Sequence, residues 1–260
     1  MNENELHLIR ILKNKENFSV ANHLLFAKDI GDLLKMTKLN QEKLQKILKT
    51  LEKAGIIKRN NDAFCLSDVG DRFLRKTFGM EFLLSNANYF LSHSIQEIPN
   101  CLIQQIDAFS NCEVVETVWP VSKKMEDIAK EAERFVECIF TEPPFHMAEP
   151  LYERVQSGVK LRLLFGRNSQ LPDCNDLVER FELNKPKSDS LFEKRICDEV
   201  ITNLVVSDKG ACLMLGDKNS KFDMVYAISG VEEDFIVWCK DFFEFKWKQG
   251  HPFARLRTDN

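Results

Sequence analysis

Lys46, Lys49 and Lys53 recur at intervals of three and four residues, the spacing that stacks side chains on one face of an α-helix. At roughly 100° per residue, Leu44, Ile47, Leu48 and Leu51 gather on the opposite face, with Gln45 on one flank and Lys43 and Thr50 on the other. Glu42 shares the lysine side. A stripe of ammonium groups on a helix with an apolar back suits contact with a phosphate backbone. Gln41 and Gln45, near the N-terminal end, carry amides of the kind that read base edges. Lys58 and Arg59 add two cations just ahead of Asn60-Asn61-Asp62. A solvated Lys/Glu face is common on ordinary helices, so the stripe takes its meaning from the elements around it.

Those elements come in a telling order. Asp29 precedes Ile30, Leu33 and Leu34, a short amphipathic helix expected to stop around residues 36–39. Asn40 is a good N-cap for the helix Gln41–Lys53, and Gly55 is its left-handed stop. Two short strands, 56–59 and 63–67, flank the Asn-Asn-Asp turn, and Asp68 opens a helix through Lys76. Helix, tight turn, longer helix and hairpin is the order of a winged helix-turn-helix, which places its second helix in the major groove. Ahead of it, residues 3–13 read as a helix, and residues 18–27 are apolar without a clear relation to it.

The remainder alternates between helices and strands. Residues 80–94 form an apolar helix that must pack between domains or against a second subunit, and Pro99 starts a helix through Phe109. Helices are expected at 125–132, 151–157 and 232–248, and strands at 135–140, 159–165, 200–207, 211–215 and 224–228. Such alternation makes an α/β layer domain. Residues 168–190, with Pro172 and Pro186, are its loosest part. The expected fold class is therefore α+β. A winged helix-turn-helix (1–79) leads through a helical linker or dimerisation region (80–112) to an α/β effector domain (113–260).

Charge divides along the same line. The chain carries a net −4, yet residues 1–80 hold 15 Lys and Arg against 10 Asp and Glu, leaving 21 and 30 for the rest. A basic head on an acidic body fits a module that approaches phosphates joined to one that need not. The opening residues lack a cationic n-region and an apolar h-region, and no run approaches the roughly 18 apolar residues of a membrane span. A cytoplasmic protein without a membrane partner is the expectation. The eight cysteines (Cys65, Cys101, Cys112, Cys138, Cys174, Cys197, Cys212 and Cys239) form no CxxC and pair with no His at metal-ligand spacing. Cys138, Cys212 and Cys239 sit in apolar runs, as reduced core cysteines do; a redox-sensing pair is the alternative.

Glycine-dependent cofactor motifs are missing. There is no GxGxG for a methyltransferase turn, no GxxxxGK[ST] for a nucleotide triphosphate, and no GxSxG elbow. No cofactor is expected. Glu142, His146 and Arg167 lie beyond two neighbouring strands, where a ligand crevice could open and an arginine could hold an anionic effector.

Residues 44–70 resemble archaeal winged-helix regulators of the ArsR-like type. Residues 92–116, with a helix opened by Ile98-Pro99, are similar to the stretch entering the effector or "middle" domain of archaeal regulators associated with methanogenesis control. Blocks 129–140, 149–165, 199–229 and 235–249 follow in the same serial order. The resemblance implies a usually dimeric transcription factor whose effector domain senses a ligand. The α/β half also looks like a distant relative of the phospholipase D fold, whose catalysis needs a His with a Lys two residues on. His7, His23, His93, His146 and His251 are followed at that position by Ile9, Leu25, Ile95, Ala148 and Phe253. The expectation is a homodimeric, non-enzymatic regulator of double-stranded DNA with an unknown small-molecule effector. A winged helix that binds protein rather than DNA is the rival, and a degenerate hydrolase a weaker one.

Overall fold

The computed structural model describes residues 10–25, 29–60, 63–141, 144–167, 191–219 and 221–252. The chain divides into two compact units, Met1–Phe78 and Gly79–Asn260.

In the first unit, helix α1 spans Lys15–His23, capped by the Asn14 side chain, which accepts from the Glu16 and Asn17 amides. The apolar stretch left unassigned from sequence is thus mostly helix. It starts three residues before Phe18 and buries Val20 and Ala21. Of the expected first helix, only residues 10–13 are described, and 10–12 are helical. Helix α2, Ile30–Thr37, begins where Asp29 accepts from the Asp32 amide at 2.8 Å. It ends at Lys38, whose φ of 56° lies in the left-handed region. Helix α3, Gln41–Lys53, starts from Asn40, whose Oδ1 accepts from the Lys43 amide at 2.9 Å.

The end of α3 explains the glycine. Gly55, at φ 72°, donates to the Glu52 carbonyl at 2.9 Å, and Ile56 donates to the Leu51 carbonyl at 3.0 Å. This paired closure satisfies two orphan carbonyls and sets the buried Ile56 against the buried Leu51, the arrangement of a Schellman stop. Strands β1 (Ile57–Asn60) and β2 (Ala63–Leu66) pair antiparallel from Ile57 opposite Leu66 to Asn60 opposite Ala63. Leu33, Leu44, Ile47, Leu48, Leu51 and Leu74 anchor the core that collects these elements.

Helix α4, Asp68–Ser85, does not stop at Lys76 as the sequence suggests, nor does a separate helix begin at Met80. Residues 77–85 contain no proline, and the glycine among them is retained for packing. A Cβ on Gly79 would lie 2.2 Å from the Ile106 carbonyl oxygen. The break falls instead at Asn86, before the short helix α5, Ala87–Ser92.

The second unit is built on an eight-stranded mixed sheet. Its strands are β3 (Glu113–Glu116), β4 (Phe135–Phe140), β5 (Lys160–Gly166), β6 (Phe192–Cys197), β7 (Asn203–Ser207), β8 (Ala211–Met214), β9 (Tyr226–Gly230) and β10 (His251–Pro252), in spatial order β10-β6-β5-β4-β7-β8-β9-β3. Only β4, β5 and β6 run parallel to their neighbours in that trio; every other pairing is antiparallel. The side-chain period of two sorts the strands into two cores. Val136, Cys138, Phe140, Leu161 and Leu163 pack with helices α7 (Val118–Glu131) and α8 (Ala148–Gln156). Ile139, Leu164, Leu204 and Leu213 pack against Phe235, Trp238, Phe242 and Phe243 of α9 (Glu233–Gln249), with Phe82, Tyr89 and Leu102. Both faces of the sheet are thus covered, which is why its central strands read as continuous apolar runs.

Several boundaries differ from the sequence expectation. The helix expected from Met125 begins at Val118, and the Pro99 helix divides into α6 (Asn100–Ile103) and a 3-10 turn, Ile106–Phe109. Strands β6 and β10 were not expected. The loose stretch 168–190 lies outside the described residues.

Candidate nucleic-acid interface

Helix α3 is amphipathic in the sense expected. Leu44, Ile47, Leu48 and Leu51 are buried, while Gln41, Lys43, Gln45, Lys46, Lys49 and Lys53 are exposed. The exposed cations are not equivalent. Lys43 forms an ion pair with Glu16 of α1, so its charge is already partly answered within the unit. Lys46, Lys49 and Lys53 make no ion pair among the described residues and run as one stripe along the helix. Between α2 and α3 lie only Lys38, Leu39 and Asn40, and the left-handed Lys38 turns the chain so that α3 presents this stripe on the surface. Lys38 is itself exposed and is a cation the sequence reading passed over, because nothing in its neighbourhood marks a left-handed lysine.

On the hairpin, Lys58 and Arg59 are exposed on β1. Lys58 lies 3.5 Å from Asp68, a loose and solvent-exposed pair worth well under 1 kcal/mol. The Arg59 guanidinium sits 5.8 Å from the centre of the Phe64 ring across the hairpin. Ser67 fixes the hairpin to α3 and α4. Its amide donates to the Ile56 carbonyl at 2.9 Å, its hydroxyl donates to the Gly55 carbonyl at 2.5 Å, and its oxygen accepts from the Gly70 amide at 3.0 Å. Gly70 lets α4 come this close, since a Cβ there would sit 1.9 Å from the Ile56 carbonyl oxygen.

In the second unit the three residues singled out for a ligand do not share one described pocket. Glu142 lies outside the described residues. His146 is exposed on a 3-10 turn, Phe145–Met147. Arg167 is held by Asp198 at 2.5 Å, an exposed pair at the ends of β5 and β6. Asp198 in turn lines a cleft of about 970 Å³ beside Glu97, Glu199, Phe245, Lys246 and Gln249. Its innermost charges, Lys246 and Glu97, pair at 2.5 Å and are nearly inaccessible. No sequence signal marks that pair, whose members are 149 residues apart.

A second buried charge group crosses from sheet to helix. Arg162 of β5 bridges Glu137 of β4 and Glu244 of α9, and its guanidinium lies 4.8 Å from the Phe243 ring centre. Burial pushes the Glu137 carboxyl upward against the lowering pull of Arg162, while the Arg162 hydrogen bond holds Glu244 down. The thiols follow burial too. Cys212 is pushed up to about 12, and Cys138 and Cys239 well above the ordinary thiol value, so none of the three is a thiolate at neutral pH. Cys174 lies outside the described residues. Among the described residues, no group of three His, Cys, Asp or Glu is placed to hold a metal ion, and no helix is long and apolar enough to cross a membrane.

No protein-family model matches the chain, and no curated protein matches it. Among solved structures it is similar to TrmBL2, an archaeal chromatin protein described with a novel mode of DNA binding, at 14% identity and a TM-score of 0.45 over 95% of this chain and 99% of that one. It is also similar to NucT from Helicobacter pylori, at 11% identity and 0.42 over 55% of this chain and all of that one. A phospholipase D family member, Nuc from Salmonella typhimurium, matches at 10% identity and 0.40 over 55% of this chain and 98% of that one.

Proposed function

We propose that the chain is a sequence-specific DNA-binding regulator whose first unit is a winged helix-turn-helix and whose second unit senses a ligand without catalysis. The observation that carries the reading is the stripe Lys46, Lys49 and Lys53. It is exposed, without ion pairs among the described residues, on the helix that follows a three-residue turn and precedes a two-stranded hairpin. In that arrangement α3 enters the major groove, with Gln41 and Gln45 nearest the base edges and the lysines on phosphates. Lys58 and Arg59 of the hairpin then meet the flanking backbone. Lys43, tied to Glu16, contributes less. The regulator acts as a homodimer, as a two-fold operator requires. Met80, Leu84 and Leu91, exposed on α4 and α5, supply apolar surface for the second copy.

The test is fluorescence anisotropy on duplex DNA at two salt concentrations. Each phosphate contact contributes about 0.9 to the slope of log affinity against log salt. The double variant Lys46→Ala, Lys49→Ala is expected to lower that slope by about 1.8 and to weaken all sequences alike. Gln45→Ala is expected to alter sequence preference while leaving the slope intact. An unchanged slope in the double variant rejects the helix assignment and favours the rival reading, a winged helix that docks protein.

A further inference from the structure

The cleft of about 970 Å³ in the second unit lies within the size range of small-molecule sites, and its polar groups are of opposite sign. Lys246 is 5% exposed, yet an ammonium has three N–H donors, and only two partners answer it: Glu97 at 2.5 Å and the Glu199 carbonyl at 3.1 Å. The third donor is unanswered among the described residues, on a side chain that lines the cleft.

Both Glu97 oxygens are engaged, one by Lys246 and the other by the Ile201 amide at 3.0 Å. Glu199 is different. Its carbonyl is fixed on Lys246 while its carboxylate is exposed and has no partner among the described residues. A spare ammonium donor and a spare carboxylate therefore line the same cleft, joined where Lys246 donates to the Glu199 backbone carbonyl. Asp198, the other acid there, is neutralised by Arg167. Much of the remaining lining is apolar or amide, including Ile98, Pro99, Val200, Phe245 and Gln249.

We infer that this cleft binds a free α-amino acid with an apolar side chain. The ligand's carboxylate accepts from Lys246, its ammonium meets Glu199, and its side chain lies against Ile98, Pro99 and Phe245. The pairing of charges selects the class. A simple anion would face the unpaired Glu199 carboxylate, and a simple cation would leave the Lys246 donor unused. A zwitterion with its two charges on one carbon answers both. This deepens the sensor part of the reading above, and it is tested on protein alone, so failure of DNA binding leaves it untouched.

The experiment is isothermal titration of the full chain with leucine, methionine and phenylalanine, alongside N-acetyl-leucine and leucine amide, which each lack one charge. Leucine or a close relative is expected to bind, with either blocked derivative weaker by about tenfold or more. Glu199→Gln, an exposed change that keeps the carbonyl on Lys246, is expected to weaken the free amino acid by a similar factor and leave leucine amide no better than N-acetyl-leucine. The double variant Glu97→Gln, Lys246→Met, which avoids a lone buried charge, is expected to abolish binding while circular dichroism shows a folded protein. If the double variant unfolds, the Glu199→Gln result decides alone. No heat from any of the three amino acids at millimolar concentration overturns the inference. So does equal binding of leucine amide, which would make the ligand a peptide N-terminus, or binding indifferent to Glu199→Gln.

Discussion

Replacing Gly70 with alanine is the sharpest perturbation of the first unit. The added Cβ would stand 1.9 Å from the Ile56 carbonyl oxygen and 2.9 Å from its carbon, which are backbone atoms with no rotamer to yield. The approach must open by more than 1 Å to reach ordinary contact. That carbonyl accepts from the Ser67 amide at 2.9 Å and from its hydroxyl at 3.1 Å, and Ile56 itself closes the end of α3. Two hydrogen bonds weakened at about 1 kcal/mol each, with overpacking of about 1–3 kcal/mol, oppose a gain of about 1 kcal/mol from helix propensity. The net expectation is a loss of about 2–4 kcal/mol, confined to the first unit. All three tryptophans (Trp119, Trp238 and Trp247) lie in the second unit, which separates the readouts. In urea, far-ultraviolet circular dichroism should show part of the helix signal lost early, while the tryptophan transition keeps its midpoint. Hydrogen exchange at the Ser67 and Gly70 amides should accelerate in step. A first-unit stability within about 0.5 kcal/mol of wild type would refute the claim that backbone contact at Gly70 sets the hairpin against α3 and α4.

Three further outcomes are expected. Asp208 accepts from the Glu133 and Arg134 amides at 3.1 and 3.0 Å, and although burial opposes its ionisation these bonds hold its carboxyl below the usual range. Asp208→Ala is expected to destabilise the second unit by on the order of 2–3 kcal/mol at neutral pH. Because the folded value is depressed, that contribution is present above about pH 4 and fades as pH falls through the folded value, so denaturation midpoints of variant and wild type should converge in acid. Arg162→Met leaves Glu137 buried without its cation and should destabilise by about 3–5 kcal/mol, with Glu137→Gln in the same chain restoring part. Since burial raises Glu137, the penalty should shrink as pH falls and the carboxyl takes up its proton, which a stability profile from neutral to acid pH would show. Finally, Leu84 is 74% exposed, so Leu84→Glu should leave each chain folded and, if the proposed homodimer forms through this surface, shift light scattering from dimer to monomer. An unchanged mass would place any dimer contact elsewhere.

The parts legible in the sequence are those whose physics is local. Asn40, the heptad-like spacing of Leu44, Ile47, Leu48 and Leu51, and Gly55 together specify a helix, its buried face and its end, because capping and periodicity act within a few residues. The apolar runs of β4, β5 and β8 likewise announce strands buried on both faces. The exposed lysine stripe follows from the same phase, but the ion pair that engages Lys43 beside it depends on α1, whose cap at Asn14 is a weaker signal.

Other features waited for the tertiary structure. Strand β6, Phe192–Cys197, carries Glu193, Lys194 and Arg195 in its middle and reads as polar; it becomes a strand because β5 and β10 supply backbone partners on its two sides. Helix α4 carries a glycine at position 79 because the Ile106 backbone fills the space a side chain would need, a requirement set 27 residues away. The cleft draws Glu97 from before α6, Glu199 from after β6 and Lys246 from α9. No spacing rule links such residues, because the distance that pairs Lys246 with Glu97 is measured through the fold and not along the chain.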